Sequence, residues 1–377
     1  GRHPNRFDLD EVSTDRPIAL THVSGHLIAC NSRCLELAGI TASTPDPSGG
    51  AIHRLPGGTE PSGVVEETAN GLVRAPIPAT SDEEILGRIE GLQEYYASYG
   101  VTTVQDGGLN DGALALLADA SAKGMLYLDI VGFRRVGAGG SIPADFASSR
   151  EYDGHFRVGG IKLVLDGSPQ GKTAWLTQPY HVPPHGQPSA YSGYPIFEFD
   201  QVFDVMSDAF ERGVPVMAHA NGDAAADQLI AAVTAANEAV GPGDRRTVMI
   251  HAQTAREDQL DQMKDQGIVP SYFVAHTFFW GDWHHDSVLG PERGVRISPL
   301  RSTLDRDMPF TIHNDTPVVP SDMLYLMWTA ANRRTRSDRV LGDAQRVTGA
   351  EALHAVTLGA AYQFFEEASK GSIEVGK

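Results

Sequence analysis

The chain has 377 residues, 41% of them hydrophobic and 21% charged, so it is long enough and apolar enough to bury a large core. Its 48 acidic side chains exceed its 30 lysines and arginines, which gives a formal net charge of −18. This balance argues against a nucleic-acid-binding protein, because such proteins concentrate positive charge on one face. No run of about 18 apolar residues occurs, so no membrane-spanning segment is expected. The composition therefore predicts an acidic globular protein that acts on a small molecule.

Residues 1–80 are predicted to form a small α+β insert, whose sequence pattern differs from that of the rest of the chain. Within it, RPIALTHVSGHLIACNS (16–32) predicts a strand running into a helix, and TPDPSGGAIHRLPGGTEPSG (44–63) predicts an irregular loop or a hairpin. Cys30 and Cys34 are four residues apart, which predicts two buried or half-buried thiols on one helix. Two cysteines in a chain of this length suit a reducing compartment, so we expect a cytoplasmic protein.

Residues 81–377 alternate short apolar runs with helical segments, which predicts a parallel sheet covered by helices. Strands are expected near residues 101–106, 125–133, 158–166, 214–220, 246–252, 268–274 and 309–314. None is followed by a Gly-x-Gly-x-x-Gly turn, so the pattern favours an α/β fold of the (β/α)8 barrel type over a doubly wound sheet. One strand of the eight is missing from this count.

Side chains that can bind metal lie at the carboxyl ends of four of these strands. They are Lys162 and Asp166, His219, His251, and His313 with Asp315. Because the carboxyl ends of barrel strands surround the active-site mouth, we expect these residues to lie together. A single histidine after an apolar run is usually structural, so the prediction depends on the combination. Imidazoles and a carboxylate suit a first-row divalent ion that keeps one position open for water.

Lys162 is unusual because a charged, unpaired lysine inside a buried strand is costly. One interpretation is a salt bridge to Asp166 or to another acid at the barrel mouth. The other is carbamylation by CO2, which would give a carboxylate able to bridge two metal ions. The residues alone leave both interpretations open.

Several strings, taken in order, resemble those of the amidohydrolase superfamily. They are VGGIKLVLDGSPQG, HANGDAAADQLIAAV, RRTVMIHAQ, HTFFWGDWHHDSVLGPERGVRISP and FTIHNDTPV. The chain resembles most specifically the metal-dependent amidohydrolase family 3, which includes N-substituted formamide deformylase and the YtcJ-like hydrolases. SGHLIACNSRCLELAGI and TPDPSGGAIHR resemble the part of that family inserted after the first barrel strand. The resemblance therefore covers essentially the whole chain.

The resemblance implies a barrel with a small β-sandwich, and hydrolysis of amide-type C–N bonds other than peptide bonds by metal-bound hydroxide. It implies that Lys162 is a carbamylated bridging ligand and that His219 and His251 are ligands on the next two strands. Asp315 is implied as the general base and a metal contact. The implied cofactor is one or two divalent ions, with zinc expected.

Four further residues are predicted to bind substrate. His26 is implied by its Ser-Gly-His context, and His313 lies beside Asp315. His276 and Trp280, together with Trp283 and His284, are expected in a loop after the seventh barrel strand, where they would line an apolar pocket. Packing rather than recognition remains an alternative for this aromatic-rich loop. A homodimer is also possible.

The sequence departs from the family pattern in one important respect. The family's first strand ends in a His-x-His pair that supplies two ligands, and this sequence contains no such pair. With the start at Gly1 and the end at Lys377, this predicts an internal fragment of a longer protein whose metal site is incomplete. One alternative is therefore a catalytically silent barrel that binds a small ligand. Another is a metal-free glycosidase using Asp166 and Asp315 as its carboxylate pair.

Overall fold

The computed structural model describes residues 3–74, 80–137 and 139–377. Two sheets organise these residues. The N-terminal segment forms a four-stranded antiparallel sheet, and the rest of the chain forms a seven-stranded parallel sheet with helices. Among the described residues, no helix is both long and apolar enough to cross a lipid bilayer.

The N-terminal sheet has the strand order β1-β2-β4-β3. Its strands are β1 (Ala19–Thr21), β2 (Leu27–Cys30), β3 (Gly50–Arg54) and β4 (Pro61–Glu67), and its helices are α1 (Arg6–Asp10), α2 (Ser32–Leu37) and α3 (Asn70–Arg74). Every neighbouring pair is antiparallel, and one face buries a small core that includes Ile28, Ile52 and Val65.

Two local predictions for this segment were wrong. Residues 16–32 do not form one strand before the helix, because the chain turns at Gly25, whose φ is +76°, and makes the β1–β2 hairpin. The two cysteines do not share a helix either. Cys30 ends β2 and Cys34 lies on α2, where the two buried sulfurs are 3.3 Å apart.

The second sheet is parallel throughout, and its strands follow one another in chain order. They are β5 (Thr103–Leu109), β6 (Asp129–Arg135), β7 (Phe156–Val164), β8 (Val216–Ala220), β9 (Val248–His251), β10 (Val269–Tyr272) and β11 (Thr311–Ile312). Each overlaps one of the ranges expected from the sequence. Seven parallel strands in consecutive order, with helices between them, fit an α/β barrel.

Helices connect and cover these strands. They are α4 (Asp82–Ser98), α5 (Asp111–Ala122), α6 (Phe199–Glu211), α7 (Asp223–Val240), α8 (Glu257–Asp265), α9 (Ala275–Trp283), α10 (Gly290–Gly294), α11 (Leu300–Leu304), α12 (Met323–Asn332), α13 (Gly349–Val356) and α14 (Leu358–Gln363). A π-helix (His284–Val288) follows α9, and a 3-10 helix covers Asp343–Gln345. The Ser81 and Asn110 side chains cap α4 and α5 by accepting backbone N–H groups, which explains why these helices begin there.

The largest core lies between the middle of the parallel sheet and the helices α6 and α7. Ile161 and Leu163 of β7 are fully buried in it, and Val202 and Met206 present the apolar face of α6. The helix α7 is rich in alanine, which lets it pack closely against its neighbours.

The two edge strands of the parallel sheet contact the same side chain. Gln363, at the end of α14, donates from Nε2 to Gln105 Oε1 on β5 at 3.1 Å and accepts from Thr311 Oγ1 on β11 at 2.9 Å. The sheet is therefore curled enough for one glutamine to join its first and last strands.

Candidate active site

The carboxyl ends of four parallel strands bring the predicted metal-binding side chains to one edge of the sheet. Lys162 lies on β7, His219 on β8 and His251 at the end of β9, whereas His313 and Asp315 follow β11. In the strand register, Val164 pairs with His219 and Ala220 pairs with His251. Parallel pairing thus places residues that are distant in sequence at about the same height along neighbouring strands.

Three of these histidines, His219, His251 and His313, form a line of rings joined by hydrogen bonds, called the histidine file below. His251 Nε2 lies 3.0 Å from His219 Nδ1, and His313 Nε2 lies 3.2 Å from His251 Nδ1. At one end, His219 Nε2 is 3.1 Å from the Gly167 carbonyl oxygen. At the other end, His313 Nδ1 is 2.9 Å from Ser271 Oγ. The file therefore crosses the mouth from the loop after β7 to β10.

Burial keeps these imidazoles neutral. Loss of solvent lowers the pKa of both His219 and His251 well below the ordinary 6.5, and nearby imidazoles and Lys162 lower both pKa values further. Burial, with a smaller effect of Lys162, lowers the pKa of His313 to about 3. Neutral imidazole is the form that binds a metal ion.

Lys162 is buried, with 8% of its surface exposed, and it makes no hydrogen bond or ion pair with the described residues. Burial lowers the pKa of its amine to about 7, against the opposing effect of Asp315. The amine is thus available in its uncharged form near neutral pH, which is the form that reacts with CO2.

Asp166 does not pair with Lys162, so the salt-bridge interpretation naming Asp166 was wrong. Its carboxylate oxygens instead accept the backbone N–H groups of Trp175, Asn221 and Gly222 at 2.8 to 2.9 Å. Both oxygens are used to hold the loops after β7 and β8. Asp166 therefore does not supply a free carboxylate, which argues against the metal-free glycosidase alternative.

Asp315 lies on the exposed rim of the site, and its carboxylate has no hydrogen bond or ion pair within the described residues. The backbone φ is +55° at Asp315 and +76° at His251. Left-handed backbone at non-glycine residues costs energy and is concentrated at functional sites. Two predicted ligands thus stand in conformations that the surrounding fold has to enforce.

His26 comes from the N-terminal segment, and its ring centroid lies 5.0 Å from that of His219. Its Nδ1 is 2.7 Å from Glu67 Oε2, at the end of β4. We had not predicted Glu67 from the sequence. The available signal was the run GVVEE (63–67), which ends an apolar strand in two acids.

His276 and Trp280 continue the site as an aromatic wall. The Phe273 ring stacks on His313 at 5.5 Å, and the His276 ring lies 4.9 Å from both Phe273 and Trp280. His276 Nδ1 is 2.9 Å from Nε2 of the buried His284.

The predicted loop was wrong, because His276, Trp280 and Trp283 lie on α9 and His284 begins the π-helix. Trp283 is not part of the wall. Its indole donates to the Gln170 carbonyl at 3.1 Å, and the amine of Lys172 lies 4.7 Å from its ring.

The donor types fit a divalent metal ion. Neutral imidazoles and a carboxylate are standard ligands of zinc and related ions, and the nitrogens of His219 and His251 face each other at 3.0 Å. Within residues 3–74, 80–137 and 139–377, however, no group of three or more His, Cys, Asp or Glu side chains is arranged to hold a metal ion. The side chains are drawn together by hydrogen bonds instead.

Comparison with known proteins adds the family context. A model of the amidohydrolase family matches residues 1–377. The chain is 25% identical over 390 residues to the YtcJ protein of Bacillus subtilis, covering 98% of this chain and 69% of that protein. It is 27% identical over 390 residues to N-substituted formamide deformylase of Arthrobacter pascens, covering 100% and 70%.

A solved structure is also similar to this chain. A metal-dependent hydrolase from Pyrococcus furiosus matches with a TM-score of 0.70 and 26% identity, covering 100% of this chain and 73% of that one. The chain spans 66% to 70% of the length of three curated relatives and 73% of the Pyrococcus furiosus chain.

Proposed function

Because the chain belongs to the amidohydrolase family, we propose that it is a metal-dependent hydrolase acting on amide-type C–N bonds other than peptide bonds. One observation carries the proposal: two neutral, buried imidazoles, His219 and His251, meet at the carboxyl ends of adjacent parallel strands beside an unpaired buried lysine. The similarity to a formamide deformylase supports the choice of amides as substrates.

His219 and His251 would hold the metal ion, with Lys162, as its carbamate, and Asp315 as oxygen donors. Zinc is the ion we expect, since imidazole and carboxylate ligands suit it. When bound, such an ion lowers the pKa of a coordinated water and polarises the substrate carbonyl.

The chain's own residues would complete the reaction. Asp315, with its unpaired carboxylate on the rim, would take a proton from the attacking water and pass it to the leaving nitrogen. His26, His276, Trp280 and His313 would contact the substrate, with the aromatic wall favouring apolar groups on it. We also propose a small-molecule substrate, a cytoplasmic location and assembly as a homodimer.

The test combines metal content with hydrolysis. Protein purified without chelators should contain about one equivalent or more of zinc or a similar ion by plasma mass spectrometry. It should release formate or amine from a panel of N-substituted formamides and related amides. His219→Ala should lower the metal content, and it should lower turnover by about 100-fold or more, since even residues supporting a metal ligand contribute 10- to 100-fold. His155→Ala, a change at an exposed histidine paired with Asp129, is the matched control. Unchanged turnover in His219→Ala would refute the assignment.

A second candidate is a catalytically silent barrel that binds a small ligand. The observation favouring it is that the described residues contain no group of three metal-holding His, Cys, Asp or Glu side chains. The test is whether the folded protein takes up zinc when zinc is supplied. Protein that takes up none and hydrolyses none of the amides would support this candidate.

A further inference from the structure

We propose that Glu67 is a positioning residue, which holds the His26 ring against His219 so that His26 Nε2 meets the amide group of the substrate. The proposal rests on the proposed function and adds a part of the reacting centre supplied by the N-terminal segment. Glu67 and His26 are themselves neither proposed metal ligands nor residues of a barrel strand, although the His26 ring contacts His219.

Glu67 and His26 are joined through both backbone and side chain. The Glu67 N–H donates to the His26 carbonyl at 2.9 Å, and His26 Nδ1 lies 2.7 Å from Glu67 Oε2. The Glu67 side chain is 3% exposed and the His26 side chain 16% exposed. The pair is thus sheltered, and the histidine is the member that reaches towards solvent and substrate.

The backbone of Glu67 is held in an unfavourable conformation. Its φ is +51°, in the left-handed region, although it is not a glycine. The preceding Glu66 points to other partners, because its carboxylate contacts His53 and accepts from Tyr194 Oη at 3.0 Å. The carboxylates of these two adjacent residues therefore contact different partners, and only that of Glu67 is directed to the barrel mouth.

Gly167, in the loop after β7, makes room for the Glu67 carboxylate. A Cβ atom at Gly167 would overlap Glu67 Oε1 and Thr173 Oγ1. The Gly167 carbonyl oxygen is in turn 3.1 Å from His219 Nε2. The Glu67 side chain thus contacts both His26 and the loop whose Gly167 carbonyl contacts the histidine file.

The second oxygen of Glu67 points to a polar ligand. Oε1 is buried and has no hydrogen-bond partner among the described residues. Leaving such an acceptor unsatisfied is costly, so a buried oxygen of this kind is a place where a bound polar group, an ion or a water can complete the hydrogen bonding.

The chemistry of the pair determines which nitrogen faces the substrate. An ionised carboxylate can only accept hydrogen bonds, so the proton between Glu67 and His26 lies on Nδ1. Nε2 is then the only ring nitrogen of His26 left for another group. Orientation of this kind is what a carboxylate behind a functional histidine commonly provides.

A double-mutant cycle tests the proposal on the hydrolysed amide. Glu67→Gln should lower kcat by about 10-fold or more, with a smaller change in KM. In the His26→Gln background, Glu67→Gln should have no further effect, because its role acts through His26. Glu66→Gln is the matched control and should stay within about twofold of the unchanged enzyme. Independent, additive losses from Glu67→Gln and His26→Gln would overturn the proposal.

A second measurement needs no turnover. In protein labelled with 15N-histidine, the long-range 1H–15N spectrum should show His26, identified by its loss in His26→Gln, protonated at Nδ1. Glu67→Gln should move this signal, and Glu66→Gln should not. A His26 protonated only at Nε2 would overturn the proposal whether or not any amide is hydrolysed. If no amide is hydrolysed but the signal behaves as expected, the pairing is upheld and the proposed function fails.

Discussion

Arg157 and Glu366 form an ion pair that is almost completely buried and joins residues 209 positions apart. Arg157 Nη2 and Nε lie 2.8 and 3.1 Å from Glu366 Oε1, and the side chains are 3% and 9% exposed. Tyr152 Oη donates to the same oxygen at 2.8 Å. The pair ties the segment after α14 to β7, the strand that carries Lys162.

Removing Glu366 should therefore destabilise the whole fold. Glu366→Ala leaves Arg157 buried without its counter-charge, and breaking a buried pair in this way costs about 3–5 kcal/mol. Urea unfolding followed by circular dichroism measures the change. Glu367→Ala is the control. Glu367 is partly exposed and its partner Arg246 keeps a second carboxylate, that of Asp244, so the loss should be about 1 kcal/mol or less. Equal losses in the two variants would contradict the prediction.

The pH dependence of stability should include a contribution from Glu351. Its carboxylate accepts from Arg301 and from the Thr348 N–H, and these contacts lower the pKa of Glu351 from its ordinary 4.5 to about 2. Because the folded-state pKa is the lower one, the stabilisation is complete above pH 4.5 and is lost as the pH falls towards 2. The difference in unfolding free energy between the unchanged protein and Glu351→Gln should thus shrink from pH 7 to pH 3. Its size should be about 1 kcal/mol or less, since the pair is partly exposed. A difference that grows on acidification would contradict this.

Lys162→Met should stabilise the metal-free protein while abolishing hydrolysis. The change removes a buried amine that has no hydrogen bond or ion pair within the described residues, and replaces it with an apolar chain of similar length. We expect a gain of about 1–3 kcal/mol in the free energy of unfolding. Measurement in the presence of a chelator excludes the contribution of bound metal. A large loss of stability under these conditions would show that Lys162 is compensated in the fold.

Two glycine substitutions should have opposite effects. Gly167→Ala places a methyl group against Glu67 and Thr173, so it should lower both the melting temperature and turnover. Gly91→Ala lies within α4 with no atom near the added methyl, and should raise stability by about 0.5–1 kcal/mol. Thermal unfolding of both variants checks the pair. A Gly167→Ala protein with full stability and activity would mean that the Glu67 carboxylate moves freely.

The parallel sheet was predictable because its strands are short apolar runs, and β8 is buried along its whole length. Burial on both faces makes each strand a near-continuous apolar run, and its short length and flanking turn residues are what distinguish it from a helix. The helical state of His276 and Trp280 was not predictable, since α9 follows β10 with no side-chain cap and no clear apolar periodicity.

The site was predicted only in part, for a physical reason. His219 and His251 follow apolar runs on adjacent strands, so parallel pairing alone brings them together. Glu67 reaches the same place through tertiary contact between the N-terminal segment and the loop at Gly167. The run GVVEE indicates a strand that ends in two acids, but it does not encode that contact. Asp166 was misread in the glycosidase alternative because two of its backbone partners, Asn221 and Gly222, are distant in sequence.

The three rings of the file, His219, His251 and His313, cannot choose their protonated nitrogens independently of one another. A neutral imidazole has one N–H and one lone pair, so each ring must donate to its neighbour in the same sense along the line. Either every ring carries its proton on Nε2, pointing to the Gly167 carbonyl, or every ring carries it on Nδ1, pointing to Ser271. The polarity of the whole line is therefore shared, and the hydroxyl of Ser271 influences a nitrogen three rings away.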